Sequence, residues 1–557
     1  PWWLIPGAFY GDNRPAENDR IFPRFEKGAR TTEQAAAMVS DSWHFRADRA
    51  ATPAVFVWGG AGLGGAAVAT SETSPLGITG VGFAADAASV TLALTFPFRE
   101  GPITYYGDGE PRPAEAAVHE WQAGEEADLR FTVHPLDADR HAYAPILRAL
   151  HADSAPSAPL RPWVDLPTAA DLSAEGLLRW HYDADPGVLL ETVGFDREVT
   201  GRDGKSVDRQ AMHIGWVSGI PWAYALLAHG LRTASDDEVA AARSVLDFCT
   251  AELSPSGTFW GVWYRGGGWT QSWTRHRRGL HSRTLAEATL FLIRAARLAP
   301  GSERWETAIR SNLDVVVGRQ RDDGNLGSIH HAETGEMLSW SGASGLTWIA
   351  ALVEAGEPRH MAAAARAGEY YSRFVEAEYL CGAPEDVDLA PTSEDGYAAV
   401  MAYVALHRAT GEERWLDLAR RSADWMLTFR YSYDVAFEEH TMLGRYDFGT
   451  RGADQASPSN QHLHAYGLVC TEELLQLADA TGDGHYRERA EETLACFRQL
   501  VARQDGDFNA YRGMVSERYY QTACFQPKGM LLTLSHAWSV GVLLLACEQV
   551  LARESPG

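Results

Sequence analysis

Nowhere in its 557 residues does the chain reach the ~18 consecutive apolar residues that a membrane-spanning helix needs, so no span is expected. Cationic side chains are in short supply: 49 Lys and Arg stand against 74 Asp and Glu, a formal charge of −25. A field of that sign argues against nucleic acid or another polyanion as partner and leaves room only for a local cationic pocket. Cysteine is sparse as well. The six residues (Cys249, Cys381, Cys470, Cys496, Cys524 and Cys547) are dispersed, with no C-x-x-C pair. That spacing argues against a structural zinc site and predicts buried free thiols in a reducing, cytoplasmic compartment. The chain opens at Pro1 without Met, as a sequence trimmed upstream would, so a secreted or periplasmic setting stays open beside the cytoplasmic one. Also missing are G-x-S-x-G, a phosphate-binding P-loop, H-E-x-x-H and a dinucleotide fingerprint in convincing context. Neither a cofactor nor a metal is expected.

Aromatic residues, by contrast, are plentiful: 19 Trp, 20 Tyr and 20 Phe. Hydrophobic content of 45% and charged content of 22% are globular values, and the length suits two or three domains. Many of the Trp residues fall in Gly-rich polar stretches rather than in helical ones. A cleft that stacks flat, partly apolar ligands such as sugar rings would use them that way.

Periodicity divides the chain into residues 1–136, 137–209 and 210–557. The first part reads as strands at Ala54–Trp58, Ala66–Thr70, Ile78–Phe83, Ser89–Phe96, Ala116–Trp121 and Asp128–Val133, a β-sandwich pattern. Gly59–Gly65 reads as a hairpin turn between two of them. Then Ala142–His151 reads as a helix, followed by a Pro-rich linker over Ser154–Pro167. From about residue 210 six apolar segments alternate with five amphipathic ones. The apolar set is His213–Leu231, Arg283–Leu298, Trp340–Ala355, Gly396–Ala409, His462–Ala480 and His536–Leu551. The amphipathic set is Asp237–Glu252, Glu303–Arg319, Arg359–Val375, Glu412–Phe429 and His485–Arg503. Apolar-to-amphipathic connections share one tight style, as in Ala409-Thr-Gly-Glu-Glu-Arg-Trp415 and Ala480-Thr-Gly-Asp-Gly-His-Tyr486. Gly supplies a left-handed C-cap there, and an acidic residue opens the next helix. The return connections are long, so all of them gather at one end of a repeated helical hairpin. Six inner and at least five outer helices predict an (α/α)6 toroid behind an N-terminal β-sandwich, a multidomain α+β chain, with Ala142–His151 a candidate for the sixth outer helix.

That order of parts resembles the modular plan of glucoamylase-like hydrolases and of disaccharide phosphorylases. The resemblance covers most of the chain and rests on architecture, with no motif that selects one family. It implies an enzyme acting on glycosidic bonds, with a carbohydrate as its partner, and an exo-acting, inverting hydrolase as the favoured form. Oligomeric state is left open.

Glycoside hydrolysis needs two carboxylic groups beside the bond, and in a toroid these belong on the long loops or at inner-helix N-termini. Glu394 and Asp395, in Pro391-Thr-Ser-Glu-Asp-Gly-Tyr397, stand first: adjacent side chains point apart, so one caps the helix while the other faces the cavity. Asp323, with Asp322, follows in Arg319-Gln-Arg-Asp-Asp-Gly-Asn325. Asp454 comes next, near His462 and His464, with Glu438 and Glu439 on the same loop. For substrate binding the Gly-rich run 256–276 offers Trp260, Trp263, Trp269 and Trp273 as stacking platforms and Arg275 and His276 as polar contacts. Trp340, His462 and His464 are added as rim contacts. The aromatic run Trp2–Pro15 either covers the sandwich or closes one side of the site. His330-His331 and Asp505-Gly-Asp-Phe-Asn509 read as polar loop and turn. Two other chemistries compete. His213, His281, His462, His464 and His536 fall near inner-helix starts, as the His pairs of toroidal N-acylglucosamine 2-epimerases would. Tyr519, Tyr520, Arg518 and His276 would serve a polysaccharide lyase.

Overall fold

A computed structural model describes residues 1–11, 42–60, 62–86, 89–101, 103, 113–154, 160–195, 210–272, 278–299, 302–387, 390–458, 460–523 and 526–554. Eight strands form the body of the N-terminal part: β1 (Trp2–Ile5), β2 (Phe9–Gly11), β3 (Ser42–Arg46), β4 (Ala54–Trp58), β5 (Gly65–Thr70), β6 (Gly80–Ala85), β7 (Val90–Thr95) and β8 (Phe131–Leu136). One antiparallel sheet runs in the order β8-β5-β4-β1-β2, a second in the order β3-β6-β7. The period of two along β1 sorts its side chains into two cores. Trp3 and Ile5 join Phe9, Trp43, Phe45, Val55, Val81 and Phe83 between the sheets, with Trp3 stacked on Phe83 at 3.9 Å. Trp2 and Leu4 face the other way and enter the core of the helical part. The aromatic N-terminal run is thus an inner strand, β1, and the edge strand β2 beside it, not a cover; its residues 12–15 lie outside the described set. Ala116–Trp121 is not a strand either. Among the described residues only Glu115–Ala116 of this stretch pairs, with Arg99–Glu100, while Val118 and Trp121 stand exposed.

Thirteen helices matter for the rest. They are α1 (Tyr143–Ser154), α2 (Leu166–Gly176), α3 (Ile220–Thr233), α4 (Asp236–Thr250), α5 (Ser282–Leu298), α6 (Glu303–Gly318), α7 (Trp348–Ala355), α8 (Pro358–Glu376), α9 (Ser393–Thr410), α10 (Glu413–Leu427), α11 (Thr471–Thr481), α12 (Gly484–Arg498) and α13 (Ala537–Glu554). The odd-numbered helices from α3 to α13 each pack on the next, and α13 packs back on α3, which closes a ring of six. Around it lie α4, α6, α8, α10 and α12, each against its hairpin partner, and α2 against α13. This is an (α/α)6 arrangement. Gly356, Gly411 and Gly482, all at positive φ, close α7, α9 and α11 and allow the tight turns into the outer helices.

The sixth outer helix is α2, not Ala142–His151. It arises from the end of the Pro-rich stretch: Asp165 caps it by accepting from the Thr168 N–H at 2.9 Å, and Pro167 sits in the first turn. Helix α1 does form over the expected residues. It lies outside the ring, held to α10 and α12 by Arg148 on Asp424 and Asp483 and by His151 on Glu492. Cys249, Cys470, Cys496 and Cys547 are buried free thiols, Cys381 is buried as well, and Cys524 lies outside the described residues. No helix among the described residues is long and apolar enough to cross a membrane.

Candidate functional site at the mouth of the ring

Small sheets stitch the long loops together just before the inner helices begin. Ala211–His213 pairs with Val262–Tyr264, Leu280–His281 with Ile329–His330, Asp454–Gln455 with Leu463–His464, and Thr192–Gly194 with Leu534–His536. Four of these strands end in a histidine ahead of an inner helix: His281 and His536 directly before α5 and α13, His213 and His464 a short turn further back before α3 and α11. All four are buried.

Two contacts cross the ring and so fix its axis. Trp216, ahead of the first inner helix, donates its indole N–H to Oε2 of Glu394, on the fourth, at 3.0 Å. Tyr466, at the start of the fifth, donates its hydroxyl to Oε2 of Glu287, on the second, at 3.1 Å. Arg283 ties the two together. Its Nε donates to Glu287 at 2.9 Å, its Nη1 to Oε2 of Glu394, and its guanidinium lies 4.9 Å from the Trp216 ring and 4.8 Å from the Tyr466 ring. Trp216 holds its place at φ 59°, a left-handed backbone that a bulky residue avoids, so the surrounding structure imposes it.

Glu394 keeps 13% of its side chain exposed. Both donors go to Oε2, and among the described residues none goes to Oε1. Burial pushes its pKa up to about 7; Arg283 works against that and the nearby Asp386 carboxylate adds to it. Its neighbours on the preceding loop differ sharply. Glu385 is fully buried, accepts from Thr284 at 2.5 Å and Ser272 at 2.7 Å, and is held below the usual range despite that burial by His281, His213 and the two hydroxyls. Asp386 is half-buried. A second carboxylate–histidine layer adjoins Glu385 through His213: Glu191 sits 3.6 Å from His213 and 3.7 Å from His536, while Glu517 pairs with Arg518 at 3.0 Å. Burial holds His464 neutral, with its pKa down to about 4, and its Nε2 meets Ser393 Oγ at 3.0 Å.

Asp395 has turned into the protein. Its carboxylate accepts the N–H groups of Ala383 at 2.7 Å and Thr392 at 3.0 Å and the Thr392 hydroxyl at 2.6 Å, a capping box for α9. Thr392→Ala is therefore expected to cost about 1 kcal/mol. Asp395→Ala, which strands two buried amides, is expected to cost about 2–4 kcal/mol. Denaturant midpoints check both, and the activity per folded molecule should stay within a few-fold.

The other expected residues scatter. Asp454 forms a fully buried ion pair with Arg430 at 2.8 Å, away from solvent. Asp323 is exposed on a turn, capping Asn325 at 3.0 Å, and the adjoining Gly324 rests on Arg366 and Tyr370 of the outer helix α8. Trp340 carries the Arg321 guanidinium at 3.8 Å over its ring. Trp263 and Trp269 both pack on Phe248 of the outer helix α4, so those two indoles serve the wall rather than a stacking face. Trp260 is half-buried against the core. His462 is buried beside His464 and Tyr520. Trp273, Arg275 and His276 lie outside the described residues. Sequence reasoning passed over Trp216, Glu287, Tyr466, Asp386, Glu385, Glu191 and Glu517. The histidines near four of the six inner-helix starts, named above for the competing epimerase chemistry, already marked the ring's mouth, but nothing local to the sequence singles out these other residues.

No family model matches the chain, and no curated protein matches it. Among solved structures it is similar to a D-mannose isomerase, at 13% identity over 70% of this chain and 97% of that one, with a TM-score of 0.49. A family 76 glycoside hydrolase from a bovine Bacteroides thetaiotaomicron strain is similar at 9% identity over 90% and 97%, with a TM-score of 0.47. The cellobiose 2-epimerase of Bacillus thermoamylovorans is similar at 12% identity over 69% and 99%, with a TM-score of 0.46. Likenesses of this depth assign neither a reaction nor a substrate.

Proposed function

We propose that the chain is a glycoside hydrolase whose general acid is Glu394 and whose ionised partner is Asp386. The observation that carries this reading is one carboxyl on the ring axis with Oε2 anchored and Oε1 left for a ligand, its pKa pushed up to about 7 by burial. Two nearby carboxyl groups with different environments are what acid–base hydrolysis of a glycoside requires. Oε1 gives its proton to the leaving glycosidic oxygen as the bond to the anomeric carbon breaks. Asp386 takes a proton from the water that attacks that carbon. Arg283 and the Trp216 indole then hold the carboxylate that Glu394 becomes.

The N-terminal sheets, read as a small β-sandwich, bear on the same face. Asp48 meets Lys528 at 2.9 Å and Thr522 at 3.0 Å, and Arg49 meets Gln461 at 2.7 Å, all on long loops of the ring's mouth. A mouth walled on one side favours exo action on chain ends.

The test is incubation with a panel of plant and bacterial oligosaccharides in 18O-labelled water, read by mass spectrometry and by NMR of the first-formed anomer. A cleaved, 18O-bearing product from the wild type, lost in Glu394→Gln, supports hydrolysis. An isomer of unchanged connectivity would sink it in favour of a second reading. That reading, a sugar isomerase working through histidine, is favoured by the four strand-end histidines and by Glu191 between His213 and His536.

Trp216→Phe tests the anchoring of Glu394 separately. The lost indole donor stabilised the ionised form, so the basic limb of the kcat/KM profile should move to higher pH, with kcat lower by a few-fold.

A further inference from the structure

Arginine ordinarily packs its stem against the protein and leaves its guanidinium in water or on a carboxylate. Arg319, which closes α6, does the reverse. The residue as a whole is partly exposed, yet Nε, Nη1 and Nη2 are all cut off from solvent and, among the described residues, without a hydrogen-bond partner. Burial alone accounts for the fall of its pKa to about 10, and among the described residues no carboxylate bears on it. It therefore remains a cation at neutral pH. An uncompensated buried charge is among the most destabilising features a fold can carry, and native structures rarely leave one unanswered.

A second orphan donor lies beside it. His330 is fully buried, and its Nε2 faces the hydroxyls of Thr258 at 3.1 Å and Ser256 at 3.3 Å. With a hydroxyl donating to Nε2, as this cluster allows, the ring hydrogen stands on Nδ1, which among the described residues has no partner. Burial and the Arg319 charge keep this imidazole neutral, its pKa pushed down to about 2. Ser256, Thr258 and His330 thus add hydrogen-bonding groups but no charge, and one positive charge remains to be balanced.

We propose that Arg319 and Nδ1 of His330 form an enclosed site for one monovalent anion of halide size. A single negative charge balances the single guanidinium, whereas a dianion would overcharge the site. Guanidinium nitrogens sealed from solvent suit an ion rather than the acid group of a sugar. The site also adjoins the catalytic layer: His330 pairs with Leu280 in a short strand, and the next residue, His281, helps hold Glu385 ionised.

Thermal unfolding of the full chain in sodium bromide, sodium chloride and sodium gluconate at equal ionic strength tests this, together with anomalous scattering from bromide-soaked crystals. The wild type should gain about 2–5 °C in either halide over gluconate, saturably, with a bromine peak against Arg319. Arg319→Met should show no halide response and should unfold in gluconate no earlier than the wild type, because it has lost only an unpaired charge. Equal responses of wild type and variant would overturn the proposal, as would the absence of a bromine peak at Arg319. A peak without any stabilisation would mean an adventitious ion only, and would overturn it as well.

Discussion

Replacing Glu394 by Gln is expected to lower kcat by about 10²- to 10⁴-fold while KM stays within a few-fold. The amide oxygen still accepts from Trp216 and Arg283, so the axis cluster keeps its shape, but the amide has no proton to give the leaving oxygen. Two readouts separate loss of the acid from loss of structure. An aryl glycoside with an acidic leaving group needs little protonation and should be cleaved nearly as well by the variant. The wild type should also lose activity as pH rises through about 7, where Glu394 gives up its proton, and the variant should lack that limb. Stability moves with the same proton. Folding raises this pKa from 4.5 to about 7, so the contribution is fully present below 4.5 and is lost as pH climbs to about 7. Relative to Glu394→Gln, the wild type should therefore weaken across that window and run parallel outside it. Parallel stability curves throughout would mean that the carboxyl is not buried as the geometry has it.

The helical hairpins were legible because each level of the sequence agrees. Gly411 and Gly482 close their helices in the left-handed conformation, and acidic residues open the next ones. The sixth outer helix, α2, was hidden by its surroundings: a stretch rich in Pro reads as linker, although Asp165 followed by Pro167 is a helix start. β1 and β2 escaped for a different reason. A strand buried on both faces shows no alternation, and Trp2-Trp3-Leu4-Ile5 is buried throughout between the second sheet and the ring. At the site, the pairing of an outward Glu394 with a capping Asp395 follows from their adjacency at a helix start. What no local pattern carries is the partnership of Glu394 with Trp216 and Arg283, residues that sit on other inner segments and meet only once six helices close on themselves. The same limit misled the reading of the Trp-rich loop, since Phe248, which receives Trp263 and Trp269, lies on an outer helix.

The largest stability effect is expected at a residue first considered for chemistry. Asp454→Ala should destabilise the protein by about 3–5 kcal/mol, because it leaves the Arg430 guanidinium buried and unpaired. Both side chains are fully buried, joined by bonds of 2.8 and 3.1 Å, and Arg430 also donates to the Arg489 carbonyl at 3.1 Å. The pair has a consequence for the axis through Gly467, the residue after Tyr466. A Cβ at Gly467 would stand 1.7 Å from Asp454 Oδ2 and 2.8 Å from Arg430 Nη2, so glycine is what lets the ion pair lie under the turn that presents Tyr466 to Glu287. Gly467→Ala should thus be as damaging as Asp454→Ala although it removes no charge. The double replacement Arg430→Met with Asp454→Leu, which removes both charges, should recover much of the loss. Denaturant midpoints order the variants, and the pH profile of the folded fraction tells the two roles apart. If Asp454 only supports the turn, the basic limb set by Glu394 stays where it is in Asp454→Asn. A displaced limb would instead put Asp454 in electrostatic contact with the reacting groups, which its burial against Arg430 argues against.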